Sequence, residues 1–399
     1  MEMRVKDLFR ETKEKFIEFF GDDEKCSYVV CPASLILLGD HTHYNEGVLL
    51  STAVDRYVTI AGRKRKDGKI LVVSNFCHEI MDFDYPEQIK AGNRFPEKFI
   101  INMFEELKQR GILNCGMEVA FTSEIPDCLG IGSVAAHQIA LLKLINKVAG
   151  LKLTKENLVE LSRSLEMMII GRISNEAHHW TALSNKLKNI LFTDLRTKIT
   201  RYIHFDYTNL EIVVLDTEVE IPDAPKICSE RIEECEISAN TLKQYMWGIK
   251  NLRDISDEFL KKKVWTLPRR LYQRVNYNVQ ERARVEEALK HIYNGDIGDF
   301  GKTIIKSHEN IAADYFLSTA QVDYLVRESA ASEGVIAAKM ISCSPKRSIF
   351  TIVNKEYSEN YISEIKNVYF KKYGTGLSVY KLNISSGVKI FKHLEEVFV

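Results

Sequence analysis

Three short stretches concentrate side chains that can do chemistry. In residues 39–45, Gly39 is followed by Asp40, His41, Thr42, His43, Tyr44 and Asn45. A polar cluster of this kind, on a loop held by rigid structure, is suited to binding, although the stretch alone also reads as a solvated connection. Residues 126–136 read Pro-Asp-Cys-Leu-Gly-Ile-Gly-Ser-Val-Ala-Ala. A glycine-containing loop that enters a helix can aim backbone N–H groups and the positive end of the helix dipole at a phosphate. Gly130 and Gly132 permit close backbone approach, and Ser133 is suited to the N-cap. From the local pattern alone the plain reading, an ordinary capped helix, is favoured. The third stretch holds Glu176, His178 and His179. A neutral imidazole is a competent general base, while the plain reading is a polar helix face or satisfied buried groups. A metal site built from these residues with His41 and His43 is disfavoured, because no ligand spacing is fixed.

The flanking elements would position these groups. The apolar run 35–38 ends at Gly39 and reads as a buried strand that delivers the cluster into a loop. Met117, Val119 and Phe121 alternate with Glu118, Ala120 and Thr122, which predicts a half-buried strand ahead of the glycine loop. Helices are expected at 134–149 and 155–170, and an amphipathic helix over 5–20 opens the chain. Residues 57–61 and 69–74 read as strands paired around Lys66-Asp67-Gly68, and 99–109 as a helix. A new apolar strand at 210–215 begins a second half. It carries helices near 228–250, 271–293 and 299–310, with Gly295 closing the second, and late strands at 348–353 and 377–382. Strand clusters mixed with long helices predict two α+β domains, 1–200 and 201–399.

Composition narrows the function classes. The 399 residues carry equal numbers of Lys+Arg and Asp+Glu, 55 each, which argues against a general polyanion binder. No apolar run approaches the roughly 20 residues of a membrane span, and the charged first ten residues lack a signal core. The eight cysteines include no Cys-x-x-Cys pair, so a cytoplasmic protein with reduced thiols is expected, with no nucleic-acid or membrane partner.

The stretch 31–47 resembles the first signature of the galactokinases of the GHMP kinase superfamily, Gly-Arg-Val-Asn-Leu-Ile-Gly-Glu-His-Thr-Asp-Tyr-Asn. Gly39, His41, Thr42, Tyr44 and Asn45 match. The loop at 126–136 resembles the family's Pro-x-Gly-x-Gly-Leu-Ser-Ser-Ser-Ala phosphate loop at Gly130, Ser133 and Ala135, with Cys128 at the first glycine and Gly132 at the first serine. Asn251-Leu252-Arg253-Asp254, Ser307-His308, Asp314-Tyr315, Ser318 and Gly334 look galactokinase-like in the right order. The resemblance implies a two-domain α+β fold with the site in the interdomain cleft. It also implies ATP-dependent phosphorylation of a sugar, with Gly130, Gly132 and Ser133 at the nucleotide and Ser133 on Mg²⁺.

The mismatches bear on activity. The family's catalytic Asp corresponds to Ser174 and its neighbouring Arg to Ser34. A serine hydroxyl is neither a base nor a cation at neutral pH. The sugar-binding Glu, His, Asp and Tyr correspond to Asp40, His41, His43 and Cys228. The glycine-rich third signature is replaced by 340–348, where Pro345 fixes a backbone angle. His178, four residues after Ser174, would share its helix face and is the candidate substitute base.

The pattern points first to a galactokinase-like protein that has lost phosphoryl transfer and senses a ligand or binds a protein partner. An active small-molecule or sugar kinase with a substitute base is the alternative, and only then is Mg-ATP expected as cofactor. A purely structural interaction protein is the third reading.

Overall fold

The computed structural model of the chain describes residues 2–75, 77–82, 95–171, 175–221, 223–341 and 346–392. Its strands are β1 (Ser27–Leu38), β2 (Val48–Arg65), β3 (Ile70–Ser74), β4 (Cys77–Asp82), β5 (Gly116–Ser123), β6 (Asn189–Asp194), β7 (Ile199–His204), β8 (Leu210–Glu220), β9 (Val335–Met340), β10 (Lys346–Asn354), β11 (Ser378–Leu382), β12 (Ile384–Ser385) and β13 (Lys389–Phe391). Its helices are α1 (Glu2–Phe20), α2 (Phe95–Gln109), α3 (Ser133–Val148), α4 (Lys155–Ile170), α5 (Glu176–Ser184), α6 (Ala224–Leu242), α7 (Asp257–Lys263), α8 (Arg269–Asn294), α9 (Ile297–Asn310), α10 (Ala320–Ala331) and α11 (Ser358–Tyr373). The architecture is α+β.

The larger sheet has the order β13-β1-β2-β5-β3-β4, with β6 and β12 also on β2 and β7 on β6. Every residue of β1 is buried, as its apolar run requires. The expected pairing of 57–61 with 69–74 does not form: β5 lies between β2 and β3, antiparallel to one and parallel to the other. Gly116 makes this insertion possible, since a Cβ there would stand 2.6 Å from the Lys69 carbonyl oxygen. Nor is β5 half-buried. Helix α1 covers its second face, packing Phe9 and Phe16 in one cluster with Ala120, while the Thr12 and Thr122 hydroxyls meet. Glu118 on that face is neutralised by Arg63 and Arg65. Strands β6 and β7 had no clear signal in the sequence. The late strands β12 and β13 return to pair with β2 and β1.

The second sheet has the order β11-β8-β10-β9. Helix α6 stops at Leu242, short of the expected 250, and Gly248 then takes a left-handed φ of 90° that a right-handed helix does not contain. Helix α8 runs to Asn294 and ends on left-handed Gly295, as expected.

One face of α8 holds the polar loop that follows β1. The Glu281 carboxylate accepts the Gly39 N–H at 2.8 Å, the Tyr277 hydroxyl donates to the Asp40 carbonyl at 2.8 Å, and Asn278 accepts from Asn45 at 3.2 Å. Positions 277, 278 and 281 share a face by helical spacing. Glu281 is fully buried, and Ser307 and Arg284 also donate to it. Burial pushes its carboxyl up, but Arg284, Lys339 and the Gly39 amide together outweigh that and hold it below the usual carboxylate range. Glu281→Ala would strand the Arg284 charge and the Gly39 amide. It should cost about 3–5 kcal/mol, read as a lower urea midpoint, with Glu281→Gln losing less.

Buried histidines make stability depend on pH. Burial lowers His41 to about 3, with Lys339, Arg347 and Arg231 adding to the effect, and burial also lowers His137 and His179. Below about pH 6.5 the unfolded chain takes up protons that these folded groups refuse, so stability must fall with acidification. The urea midpoint should drop between pH 7 and pH 5, and the slope should be shallower in His41→Asn.

Candidate active site

The loop after β1 is shaped by backbone that few residues can adopt. Gly39 has a φ of 92°, and a Cβ on it would lie 2.4 Å from the Val48 carbonyl oxygen. His41 is itself left-handed, at a φ of 59°. The Thr42 hydroxyl donates to the Gly39 carbonyl at 2.7 Å and closes the turn. The Asp40 side chain meets the Lys339 ammonium of β9, and both are fully buried. Lys339 also donates to the Leu37 carbonyl at 3.2 Å. Burial raises the Asp40 carboxyl, and Lys339 opposes that rise.

Asp40 Oδ1 and both ring nitrogens of His41 are buried with no hydrogen-bond partner among the described residues. Buried polar atoms are rarely left so, and three of them on adjacent residues mark groups that a ligand completes. The neutral His41 ring offers one donor and one acceptor, and Asp40 offers an acceptor. His43 is half-buried, its ring 4.8 Å from that of Tyr44 and 6.4 Å from that of His41. Behind His41 lies Tyr315, with ring centroids 5.8 Å apart. The Tyr315 hydroxyl is held by Asn278 at 2.7 Å and Tyr44 at 3.3 Å, and Arg231 donates to its carbonyl at 2.7 Å.

The glycine loop leads from β5 into α3. Gly132, not Ser133, is the N-cap, with a φ of 68°, and Ser133 is the first helical residue. The reason is space: a Cβ on residue 132 would fall 2.4 Å from Ser34 Oγ and 2.7 Å from His178 Nδ1. Gly130 has a φ of 79°, and Cys128 keeps a left-handed φ of 60° despite its side chain. The loop therefore retains a shape suited to glycine at the substituted position, at a strain of about 1–2 kcal/mol. The first amides of α3 have no intrahelical acceptor, which fits a phosphate group there. Burial raises the exposed Cys128 thiol, with Asp127, Glu220 and Asp216 adding and Lys346 opposing.

Ser34 and His178 come together. Ser34 Oγ lies 2.8 Å from His178 Nδ1, and the Ser34 amide donates to the Ile131 carbonyl at 2.9 Å, fastening β1 to the glycine loop. Ser34 is fully buried while His178, in the first turn of α5, is half-buried. Its neighbours are structural: Glu176 pairs with Arg163 at 2.9 Å and Lys198 at 2.7 Å, and His179 bonds Gln138 at 2.6 Å. Ser174 and residues 342–345 lie outside the described residues. Cys228 on α6 is disulfide-bonded, so the expectation of reduced thiols fails at this position. Such a bond needs two sulfurs about 2 Å apart, a proximity that Cys spacing in the chain does not reveal. Among the described residues no cluster of His, Cys, Asp and Glu is placed to hold a metal. Sequence reasoning missed Lys339, Glu281, Tyr277 and Asn278. Lys339 had a local signal, a lone charge in the apolar run 335–341, but its partner Asp40 lies some 300 positions away.

The description "Galactokinase galactose-binding signature" matches residues 14–64, and "GHMP kinases N terminal domain" matches 97–177. The first covers the loop after β1 and the second the glycine loop. A galactokinase of Roseiflexus sp. is 25% identical over 378 residues, covering 95% of this chain and 96% of the relative. A galactokinase of Thermotoga neapolitana is 26% identical over 361 residues, covering 90% and 99%. Among solved structures, Lactococcus lactis galactokinase complexed with galactose superposes with a TM-score of 0.87 at 23% identity, covering 95% of this chain and 99% of that one. A mevalonate kinase superposes at 0.62 with 17% identity, covering 90% and 98%. The chain has the α+β fold of these kinases, and its two family-model matches fall on the loop after β1 and on the glycine loop.

Proposed function

We propose that the protein is an active kinase that transfers the γ-phosphoryl group of ATP to a hydroxyl of a small sugar-like acceptor, with His178 as base. This reading replaces the expected loss of transfer. The observation that carries it is the 2.8 Å contact of Ser34 Oγ with His178 Nδ1, packed against Gly132 of the glycine loop. The serine and imidazole stand together at the edge of the loop that fits phosphate. Family members matched over at least nine-tenths of both chains are named galactokinases, which favours activity.

When bound, Mg²⁺ would neutralise phosphate charge, and the resemblance implies that Ser133 would help hold it. The chain's own residues do the rest. Asp40 Oδ1 and His41 offer two acceptors and a donor to acceptor hydroxyls. The α3 N-terminus orients the phosphates. In the proposed step the His178 imidazole, held beside Ser34 Oγ, takes the proton of the attacking hydroxyl. The new O–P bond forms as the bridging bond to ADP breaks. His43 and the disulfide-bonded Cys228 stand where the resemblance places an Asp and a Tyr, so contacts to a galactose-like ring differ at two points. Galactose is the first acceptor to test, followed by other neutral hexoses.

A ligand-sensing role is the second reading. It draws on Asp127, Glu220 and Asp216 near Cys128, whose charges would oppose a bound phosphate while Lys346 would favour it.

Coupled ADP-release assays test the proposal. Wild type should turn over a sugar, and His178→Ala should lower kcat by about 10²–10⁴-fold. Ser34→Ala should lower kcat by less and leave KM near its original value. Unchanged activity in His178→Ala would remove the base assignment, and a thermal shift with sugar but no turnover would favour the sensor. Cys128→Gly should tighten Mg-ATP binding in calorimetry, since it relieves the left-handed strain and opens the loop.

A further inference from the structure

Far along the chain from the site, Tyr245 after α6 and Trp265 after α7 meet at the surface, and Trp247 is exposed two residues from Tyr245. Trp247 is 99% and Trp265 70% exposed, and Tyr245 and Val264 are exposed beside them. The Tyr245 and Trp265 rings meet edge to face at 5.9 Å. The Lys263 ammonium lies over both, 4.8 Å from one centroid and 5.6 Å from the other. Large aromatic side chains left in water on a folded surface mark a contact site.

The charge of the same stretch indicates what covers it. Residues 243–270 hold eight Lys or Arg against three Asp or Glu, in a chain whose total charge is zero. Lys261 and Lys262 pair with Asp257 and Glu258, Arg253 with Asp194 and Arg270 with Glu234, and the same stretch also carries Lys243, Lys250, Lys263 and Arg269. A second copy of the chain would bring like charges face to face. Single-stranded nucleic acid would use the rings and cations but gain nothing from the exposed aliphatic Val264. A phospholipid surface rich in anionic headgroups uses all three features: tryptophan and tyrosine favour the interfacial layer, short aliphatics enter it, and lysines meet the headgroups. No helix among the described residues is long and apolar enough to span a bilayer, so the contact would be peripheral.

We infer that this face adsorbs to anionic lipid bilayers, with Trp247 and Trp265 entering the interface. This departs from the sequence expectation of no membrane partner, and it does not depend on the proposed kinase activity. The test is co-sedimentation of the full chain with vesicles of phosphatidylcholine alone and with added phosphatidylglycerol, alongside tryptophan emission. The chain has three tryptophans, and Trp180 is buried, so an emission shift reports on the other two. Binding to the anionic vesicles should be at least about ten-fold tighter than to neutral ones, weaken with salt, and shift emission to the blue. Trp247→Ala/Trp265→Ala should abolish it and Lys263→Glu weaken it, with melting temperatures kept near that of the parent. Failure to pellet with anionic vesicles overturns the inference, as does undiminished pelleting of the double variant. So would a dimer in the parent that the double variant loses, or tryptophan quenching by oligothymidylate without vesicle binding.

Discussion

The hydrogen bond from the Gly39 amide to the buried carboxylate of Glu281 is the contact on which the candidate site depends. It crosses some 240 positions of chain and sets the first residue of the polar loop against α8. Once Gly39 is fixed, the left-handed step at His41 and the Thr42 hydroxyl bond leave the loop little freedom. Asp40 then reaches Lys339 on β9, and His41 is buried in its neutral state beside Tyr315. A carboxylate at this depth is stable because Arg284, Ser307 and a backbone amide all donate to it. Without them, desolvation would raise its pKa and discharge it. The cost of burying Glu281 is thus bound up with the geometry of the loop it holds.

A second constraint is backbone conformation at the glycine loop. Residues 128, 130 and 132 are all left-handed, although only two are glycine. Cys128 accepts the strain because the loop is fastened at both ends, to β5 before it and to Ser34 and α3 after it. Ser34 and His178 fill the corner beside Gly132 with a hydrogen-bonded pair.

Much of the fold was legible because periodicity reports burial. The apolar run 35–38 became the end of a fully buried strand, and the helices expected from 134 and 155 lie where the apolar spacing put them. Gly295 ended α8 through its own conformational freedom. The misreadings share a cause. Residues 57–61 and 69–74 looked like a hairpin because their turn is local, whereas β5 enters between them from 40 residues further on. The alternation in β5 suggested a wet face, but α1 arrives to cover it. Local pattern cannot show which distant element supplies a neighbour.

The same division holds for the site. The sequence alone marked the candidates: Asp40 and His41 by type and spacing after a glycine, Gly130 and Gly132 by their backbone freedom, His178 as an imidazole four residues after Ser174. Tertiary structure decided their states. It paired Asp40 with Lys339, left both nitrogens of His41 without a partner among the described residues, made Gly132 the cap, and set His178 against Ser34 from 144 positions away. Residue type and local backbone preference are written in neighbouring positions, and a sequence carries them openly. Partnership and burial arise only when segments remote in the chain share the same few ångströms, and only the folded chain brings them there.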